Sequence, residues 1–231
     1  MKTTTMSTPI RYLDRRHAGR VLASYLMDQP VGDDPLVLAL PCGGVPVGFE
    51  VANEVAAPLD VFLVCKLGLP IQPEFAMGSL VTGGLLLLDH SLIQEAGVSA
   101  LEIDRVTRRE ERELERREEL YRGGRAPLEV GGREVILVDD GLAGGFAARA
   151  AVAALRQLGC ARITVGMPVG SPEMCAVLAR EADLLVCPWR PASFHSIGQY
   201  YEDYAPTDDV EVRAWLCRSG QPNYSTGTSM P

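Results

Sequence analysis

Long hydrophobic runs are missing from this sequence. It contains no apolar span of about 18 residues, the length that a transmembrane helix requires. Residues 1–9 are polar and lack the apolar segment of a secretory signal peptide. The sequence therefore predicts a cytoplasmic protein that has no contact with a membrane.

The sequence also lacks closely spaced cysteine pairs, and it has fewer basic than acidic residues. None of the six cysteines stands at a CxxC spacing, which argues against a zinc site or a disulfide framework. The 22 lysines and arginines are fewer than the 30 aspartates and glutamates, so the net charge is -8. An acidic chain is poorly suited to nucleic acid, and we expect a small-molecule substrate instead.

Hydrophobic residues make up 47% of the 231-residue chain, enough for one sizeable core. We predict one domain over residues 1–217 and a disordered polar tail over residues 218–231. Apolar runs that favour strands alternate with amphipathic or alanine-rich segments that favour helices. This alternation predicts an α/β fold, a doubly wound and mainly parallel sheet. The predicted strands are 35–40, 59–65, 85–88, 135–138, 162–167 and 184–187; the predicted helices are 11–28, 47–57, 99–121, 147–158 and 208–217.

Two segments do not fit the alternation. Residues 68–84 contain glycine and proline with few periodic apolar positions, which predicts a flexible loop outside the core. Residues 188–206 are irregular and aromatic. We expect both segments to lie over the carboxyl edge of the sheet.

An acidic pair ends the apolar run 135–138. Asp139 and Asp140 are followed by a glycine-rich turn and then by the helix predicted over residues 147–158. Ligands of open α/β sheets bind at the carboxyl ends of the strands, and a helix N-terminus offers backbone N–H groups to an anion there. Two carboxylates suit hydroxyl groups or a developing positive charge. The pattern therefore predicts a site for a phosphorylated sugar.

Six short motifs in this order make the chain resemble the type I phosphoribosyltransferases, and most closely a small bacterial branch of that family. They are Asp14-Arg-Arg-His-Ala-Gly19, Leu40-Pro-Cys-Gly-Gly-Val-Pro46, Leu63-Val-Cys-Lys-Leu-Gly68, Pro73-Glu-Phe-Ala-Met-Gly78, Val138-Asp-Asp-Gly-Leu-Ala143 and Gly198-Gln-Tyr-Tyr-Glu-Asp203. The resemblance implies transfer of ribose 5-phosphate from phosphoribosyl pyrophosphate to an acceptor through an oxocarbenium-like transition state. It also implies bound Mg²⁺, and it suggests a homodimer.

By position, the resemblance implies roles for individual residues. Asp139 and Asp140 would hold the ribose hydroxyls, and Lys66 would supply positive charge. A pyrophosphate loop, a phosphate turn, the closing loop 68–84 and a hood over residues 188–206 would complete the site. The implied substrate-binding residues are Cys42, Gly43 and Gly44 in the pyrophosphate loop, Gly141, Leu142, Ala143, Gly144, Gly145, Phe146 and Ala147 in the phosphate turn, and Phe194, His195 and Tyr200 in the hood.

Each role has a structural alternative. The acidic pair could only end a strand and cap a helix. Lys66 could be a surface lysine, Phe194 and Tyr200 could be packing residues, and His195 could face solvent.

The sequence departs from the family where the family contacts phosphate. Gly144 and Ala147 replace hydroxyl residues, Phe146 replaces a small residue, and Cys42 and Cys65 replace arginines. These changes leave three functions open: an ordinary phosphoribosyltransferase, an enzyme of a specialised biosynthetic pathway repurposed for a less phosphorylated substrate, or a non-catalytic regulator. Cys42 or Cys65 could also act as a nucleophile in the repurposed enzyme.

Overall fold

The computed structural model describes residues 11–219 apart from Val31, Asp33, Gly124 and Pro127. The predicted disordered tail lies outside the described residues from position 220 onward, and residues 218 and 219 end a helix. In chain order, the elements are α1 (Arg15–Met27), β1 (Pro35–Ala39), α2 (Gly44–Glu54), β2 (Leu59–Val61), β3 (Val64–Gly68), β4 (Ala76–Val81), β5 (Leu85–Leu88), α3 (His90–Glu95), α4 (Ala100–Arg122), β6 (Glu134–Val138), α5 (Phe146–Gln157), β7 (Arg162–Gly166), α6 (Pro172–Glu181), β8 (Leu184–Val186), a 3-10 turn (Ile197–Tyr200) and α7 (Asp209–Ser219).

Five parallel strands form the main sheet in the order β2-β1-β6-β7-β8. Alternate side chains of β1 and β6 enter different cores because successive residues of a strand point to opposite faces. Val37 and Ile136 pack with α1, α2 and α7, whereas Leu38 and Leu137 pack with α5 and α6. Helices therefore cover both faces, which confirms the predicted doubly wound parallel sheet.

The helix ends follow local chemistry. Asp14 caps α1 by accepting a hydrogen bond from the His17 N–H, and Ser99 forms a capping box with Glu102 at the start of α4. The N-cap of α5 is Gly145, which provides no side-chain cap. None of the described helices is both long and apolar enough to cross a bilayer.

The structure corrects two predictions. The strand predicted over residues 59–65 is two strands, of which β2 belongs to the parallel sheet and β3 to a three-stranded antiparallel sheet β3-β4-β5. The segment 68–84 is not a flexible loop throughout, because it contains β4, with Met77 and Leu80 buried. The strand was not recognised in the sequence because a glycine interrupts its short apolar pattern. Glycine is needed at Gly78, because an added Cβ would meet the carbonyl oxygen of Leu87 at 2.3 Å.

Candidate active site

The acidic pair lies at the centre of the carboxyl edge. Asp139 and Asp140 directly follow β6, which lies between β1 and β7. The end of β1 pairs with the end of β6, and the Leu40 N–H donates to the Val138 carbonyl at 2.9 Å. Residues 41–44, which connect β1 to α2, are therefore brought beside the two carboxyl groups.

Gly43 and Gly44 fit closely against this pair. A Cβ on Gly43 would lie 2.0 Å from Oδ2 of Asp140, and a Cβ on Gly44 would lie 2.9 Å from Cα of Asp139. Real Cβ atoms do not approach other atoms this closely, so only glycine fits either position without a shift. The connection after β1 and the acidic pair therefore form one continuous surface.

Arg15 and Tyr204 bind the Asp140 carboxylate. The Arg15 Nε donates to Oδ2 at 2.9 Å, and the Tyr204 hydroxyl donates to the same oxygen at 2.9 Å. Burial acts to lower the pKa of Arg15, but the Asp140 charge outweighs it and the pKa is raised. Burial and the same negative charge raise the pKa of the Tyr204 hydroxyl. Asp140 is therefore fixed as an acceptor between a cation and a neutral phenol.

Asp139 has a different environment. Its Oδ1 accepts a hydrogen bond from the Asp140 N–H at 2.8 Å. Burial and the neighbouring Asp140 charge together raise the pKa of the Asp139 carboxyl well above its ordinary value of 3.8. Asp139 is therefore more ready to hold a proton than an ordinary aspartate, as groups at functional sites often are.

The turn after the pair exposes backbone to the site. Gly145 has a φ of 67°, and the first N–H groups of α5 lack intrahelical acceptors because they open the helix. Ala143 and Gly144 are exposed, and Phe146 is 36% exposed. This half of the turn can take an anion at the positive end of the helix dipole.

Leu142 does not share this role. Its side chain is buried, its N–H donates to Val169 at 2.8 Å, and its carbonyl accepts from Ser171 at 2.9 Å. Both of its backbone groups therefore join the turn to the segment after β7, and substrate binding by Leu142 stays a prediction that these contacts do not favour.

Neither Lys66 nor Cys65 makes a hydrogen bond or an ion pair with the acidic pair. On β3 the Lys66 side chain is exposed, and its Nζ donates to the Glu74 carbonyl at 2.9 Å. Cys65 points the opposite way into the core, and burial raises the pKa of its thiol. A thiol that holds its proton is a poor nucleophile, so the structure argues against Cys65 in that role, and a catalytic Lys66 remains only a prediction.

Cys42 faces the helices and not the acidic pair. Its Sγ lies 3.7 Å from the Tyr121 hydroxyl, which hydrogen bonds to Asp209. Burial and that hydrogen bond raise the pKa of Tyr121. Cys42 therefore ties the connection after β1 to α4 and α7.

The aromatic side chains of the hood pack on one another. Phe194 and Tyr200 stack with ring centroids 5.4 Å apart, and the Tyr200 hydroxyl donates to the Ser193 carbonyl at 2.8 Å. Tyr200 is buried, whereas His195 is exposed. These contacts favour packing as the role of Phe194 and Tyr200, and they leave His195 at the surface.

Replacing Tyr204 by phenylalanine tests whether the acidic pair is held as described. Tyr204→Phe should lower the free energy of unfolding by about 1 to 2 kcal/mol, because a bond to a carboxylate is lost. The matched Tyr200→Phe loses only a bond to a carbonyl and should cost about 1 kcal/mol or less. Urea denaturation measures both changes, and a smaller loss for Tyr204→Phe than for the control would contradict this geometry.

Comparison with known proteins shows which proteins the chain resembles. Two Mycobacterium tuberculosis proteins from different strains are 42% identical over 206 residues, and their names assign them provisionally to the phosphoribosyl transferases. The match covers 89% of this chain but 46% of each relative, so the chain spans less than half of their length. The crystal structure of TT1426 from Thermus thermophilus is 39% identical, with a TM-score of 0.81 over 90% of this chain and 98% of that one. Over 89% of its length the chain is therefore similar to proteins whose names place them among the phosphoribosyl transferases. No family model matches it.

Two residues of this site were missing from the sequence prediction. Arg15 lies 125 residues from Asp140 along the chain, and Tyr204 lies 64 residues from it. Both fall in or next to motifs that carry the family resemblance, the segments 14–19 and 198–203. Their place in or next to these motifs could have marked both residues as site candidates, but it does not show which group either side chain contacts.

Proposed function

We propose that this chain is an enzyme that transfers ribose 5-phosphate from phosphoribosyl pyrophosphate to a small-molecule acceptor. In this reaction the bond from the ribose C1 to the pyrophosphate oxygen breaks, and a bond from C1 to an acceptor nitrogen forms as that nitrogen loses a proton. Pyrophosphate is the leaving group. The role of the protein is to hold both phosphate groups and to stabilise the positive charge that develops on the ribose.

The observation that carries the proposal is the close fit of Gly43 and Gly44 against Asp139 and Asp140. It supports a single ligand that contacts the acidic pair and the connection after β1 together. In the proposed complex the two carboxylates accept hydrogen bonds from the ribose hydroxyls, and the exposed turn 143–147 binds the 5′-phosphate. Cys42, Gly43 and Gly44 then border the pyrophosphate, and the hood lies toward the acceptor.

Mg²⁺ fits this site only as an ion that arrives with the substrate. Within residues 11–219, as far as they are described, no group of three His, Cys, Asp or Glu side chains could hold a metal ion. Mg²⁺ commonly binds through one or two carboxylates together with substrate phosphates and water. Asp139 and Asp140 can provide that share, and the bound ion would neutralise charge on the pyrophosphate.

Release of pyrophosphate tests the proposal. The purified chain, phosphoribosyl pyrophosphate and Mg²⁺ are incubated with a panel of nucleobases and simple amines, and the pyrophosphate is measured. We expect release that depends on one class of acceptor and is lost in an Asp139→Asn, Asp140→Asn variant. Absence of release with every acceptor, or equal release in the variant, would contradict the proposed activity.

Phe146 favours a second candidate, an enzyme for a less phosphorylated substrate. Its exposed ring stands at the first position of α5, where a phosphate would meet the helix N-terminus. Gly144 and Ala147 bring no hydroxyl donors to the same turn. In this candidate the acidic pair still binds the sugar, while an apolar group takes the place of the phosphate.

Adding a hydroxyl to the turn separates the two candidates. A Cβ on Gly144 meets no atom within 4 Å, so Gly144→Thr should fit without strain. If the turn binds phosphate, the new hydrogen bond should tighten ribose 5-phosphate by roughly 10- to 100-fold. Calorimetric titration measures the gain, and Gly144→Val, which matches threonine in shape, is the control. Equal affinities of the threonine and valine variants would contradict a phosphate at this turn.

A further inference from the structure

The Arg15 side chain is held by other contacts in addition to its ion pair with Asp140. It is the first residue of α1, and its side chain is only 11% exposed. The Nη1 group donates to the Ala205 carbonyl at 2.6 Å, and the guanidinium carbon lies 4.0 Å from the centre of the Tyr204 ring. The group is therefore fixed in one orientation at the edge of the sheet.

The guanidinium still has hydrogen-bonding capacity. Arginine has five N–H donors, and the contacts with Asp140 and Ala205 use one on Nε and one on Nη1. Within the described part of the chain, no hydrogen-bond acceptor is found for the Nη2 group. A fixed planar cation with donors to spare suits a phosphate oxygen.

The same cation lies against the connection after β1. A Cβ on Gly43 would be 3.1 Å from the Arg15 Nε, so the guanidinium covers the residue next to Cys42. Cys42 contributes no charge, and its thiol faces Tyr121. Arg15 therefore brings positive charge to a loop whose own side chain at residue 42 has none.

We propose that Arg15 binds the pyrophosphate group of the phosphoribosyl donor and takes over the task of the missing arginine at residue 42. The inference rests on the proposed function. Nε stays on Asp140 while the free donors of the guanidinium bind the pyrophosphate, so that one side chain joins the ribose-binding acid to the leaving group. Helix α1 thereby becomes part of the substrate site.

The test is calorimetric titration of the full chain with inorganic pyrophosphate and, separately, with ribose 5-phosphate, both with Mg²⁺. Arg15→Met should weaken pyrophosphate by on the order of 10- to 100-fold and ribose 5-phosphate by much less, because Tyr204 still holds the Asp140 carboxylate. Arg16→Met is the matched control, because Arg16 pairs with Glu50 at 2.5 Å on α2 and should leave both affinities unchanged.

A second variant guards against a folding failure. Arg15→Lys keeps a positive charge beside Asp140, and we expect a smaller loss for pyrophosphate, on the order of fivefold to tenfold, because the forked geometry is gone. Equal weakening of both ligands would overturn the inference, since Arg15 would then only position Asp140. Unchanged pyrophosphate affinity in both Arg15 variants would overturn it as well. A wild-type chain that binds neither ligand would instead refute the proposed function, and this inference with it.

Discussion

Replacing Gly43 by alanine should abolish binding of phosphoribosyl pyrophosphate. The new methyl group would stand 2.0 Å from Oδ2 and 2.7 Å from Cγ of Asp140. That carboxylate can move away only by giving up Arg15 and Tyr204, which both donate to it. We expect a loss of affinity of at least about 100-fold, since displacement of a positioned group by about 1 Å has effects of this size. Overpacking should also lower the free energy of unfolding by about 1 to 3 kcal/mol.

Gly144→Ala is the matched control for this substitution. Gly144 belongs to the same site, but its added Cβ would meet no atom within 4 Å. We expect its stability to change by less than about 0.5 kcal/mol and its affinity to stay near that of the wild type. Titration calorimetry and urea denaturation of both variants measure the difference. Tight binding by Gly43→Ala would contradict the fit between the glycines and the acidic pair.

Replacing Asp139 by asparagine should change activity and stability in opposite directions. Turnover should fall on the order of 10²- to 10³-fold, because a charge that stabilises the transition state is lost. The folded chain should nevertheless be more stable near neutral pH, because burial and Asp140 disfavour the ionised Asp139. Asparagine keeps the oxygen that accepts the Asp140 N–H. Thermal unfolding and steady-state kinetics measure the two effects.

The stability that Asp139→Asn gains over the wild type should increase with pH. A carboxyl whose pKa is higher in the folded chain than in the unfolded chain stabilises the fold while it is protonated. Wild-type stability is therefore lost as pH rises from the ordinary pKa of 3.8 through the raised pKa of Asp139. The advantage of Asp139→Asn should accordingly vanish in acid and grow toward neutral pH.

Asp183→Asn should change stability in the opposite direction, because the pKa of Asp183 is lowered and not raised. The hydrogen bond from Arg156 is the main cause of a lowered pKa at Asp183. Its contribution to stability is present above the ordinary pKa and is lost as pH falls through the lowered one. Asp183→Asn should therefore destabilise the chain near neutral pH and have less effect in acid. The same direction of change with pH in both variants would contradict this assignment.

Much of the sheet could be predicted from the sequence because its central strands are buried on both faces. Such strands appear as continuous apolar runs, as in β1 and β6, and a polar residue that ends a run marks the sheet edge. The position of Asp139 and Asp140 followed from that rule. Strand β4 was not predicted, because Gly78 interrupts its short alternation of apolar and polar residues. The structure needs glycine there for the close approach of Leu87.

The partners of the acidic pair could not be predicted in the same way. Arg15 reaches Asp140 through the packing of α1 on α2, and Tyr204 reaches it through the fold of the hood. Both contacts depend on tertiary structure over long separations, which no local pattern specifies. The hood shows the converse: the resemblance implied that Phe194 and Tyr200 bind substrate, whereas their rings stack on each other.

The most direct test of the account is calorimetric titration of phosphoribosyl pyrophosphate with Mg²⁺ into the wild type and the Asp139→Asn, Asp140→Asn variant. We expect the wild type to bind at micromolar strength, because the helix N-terminus and Arg15 offset the lost hydroxyl and arginine donors. We expect no binding by the variant. Absence of wild-type binding up to millimolar ligand, or equal binding by the variant, would contradict a phosphoribosyl site at this edge.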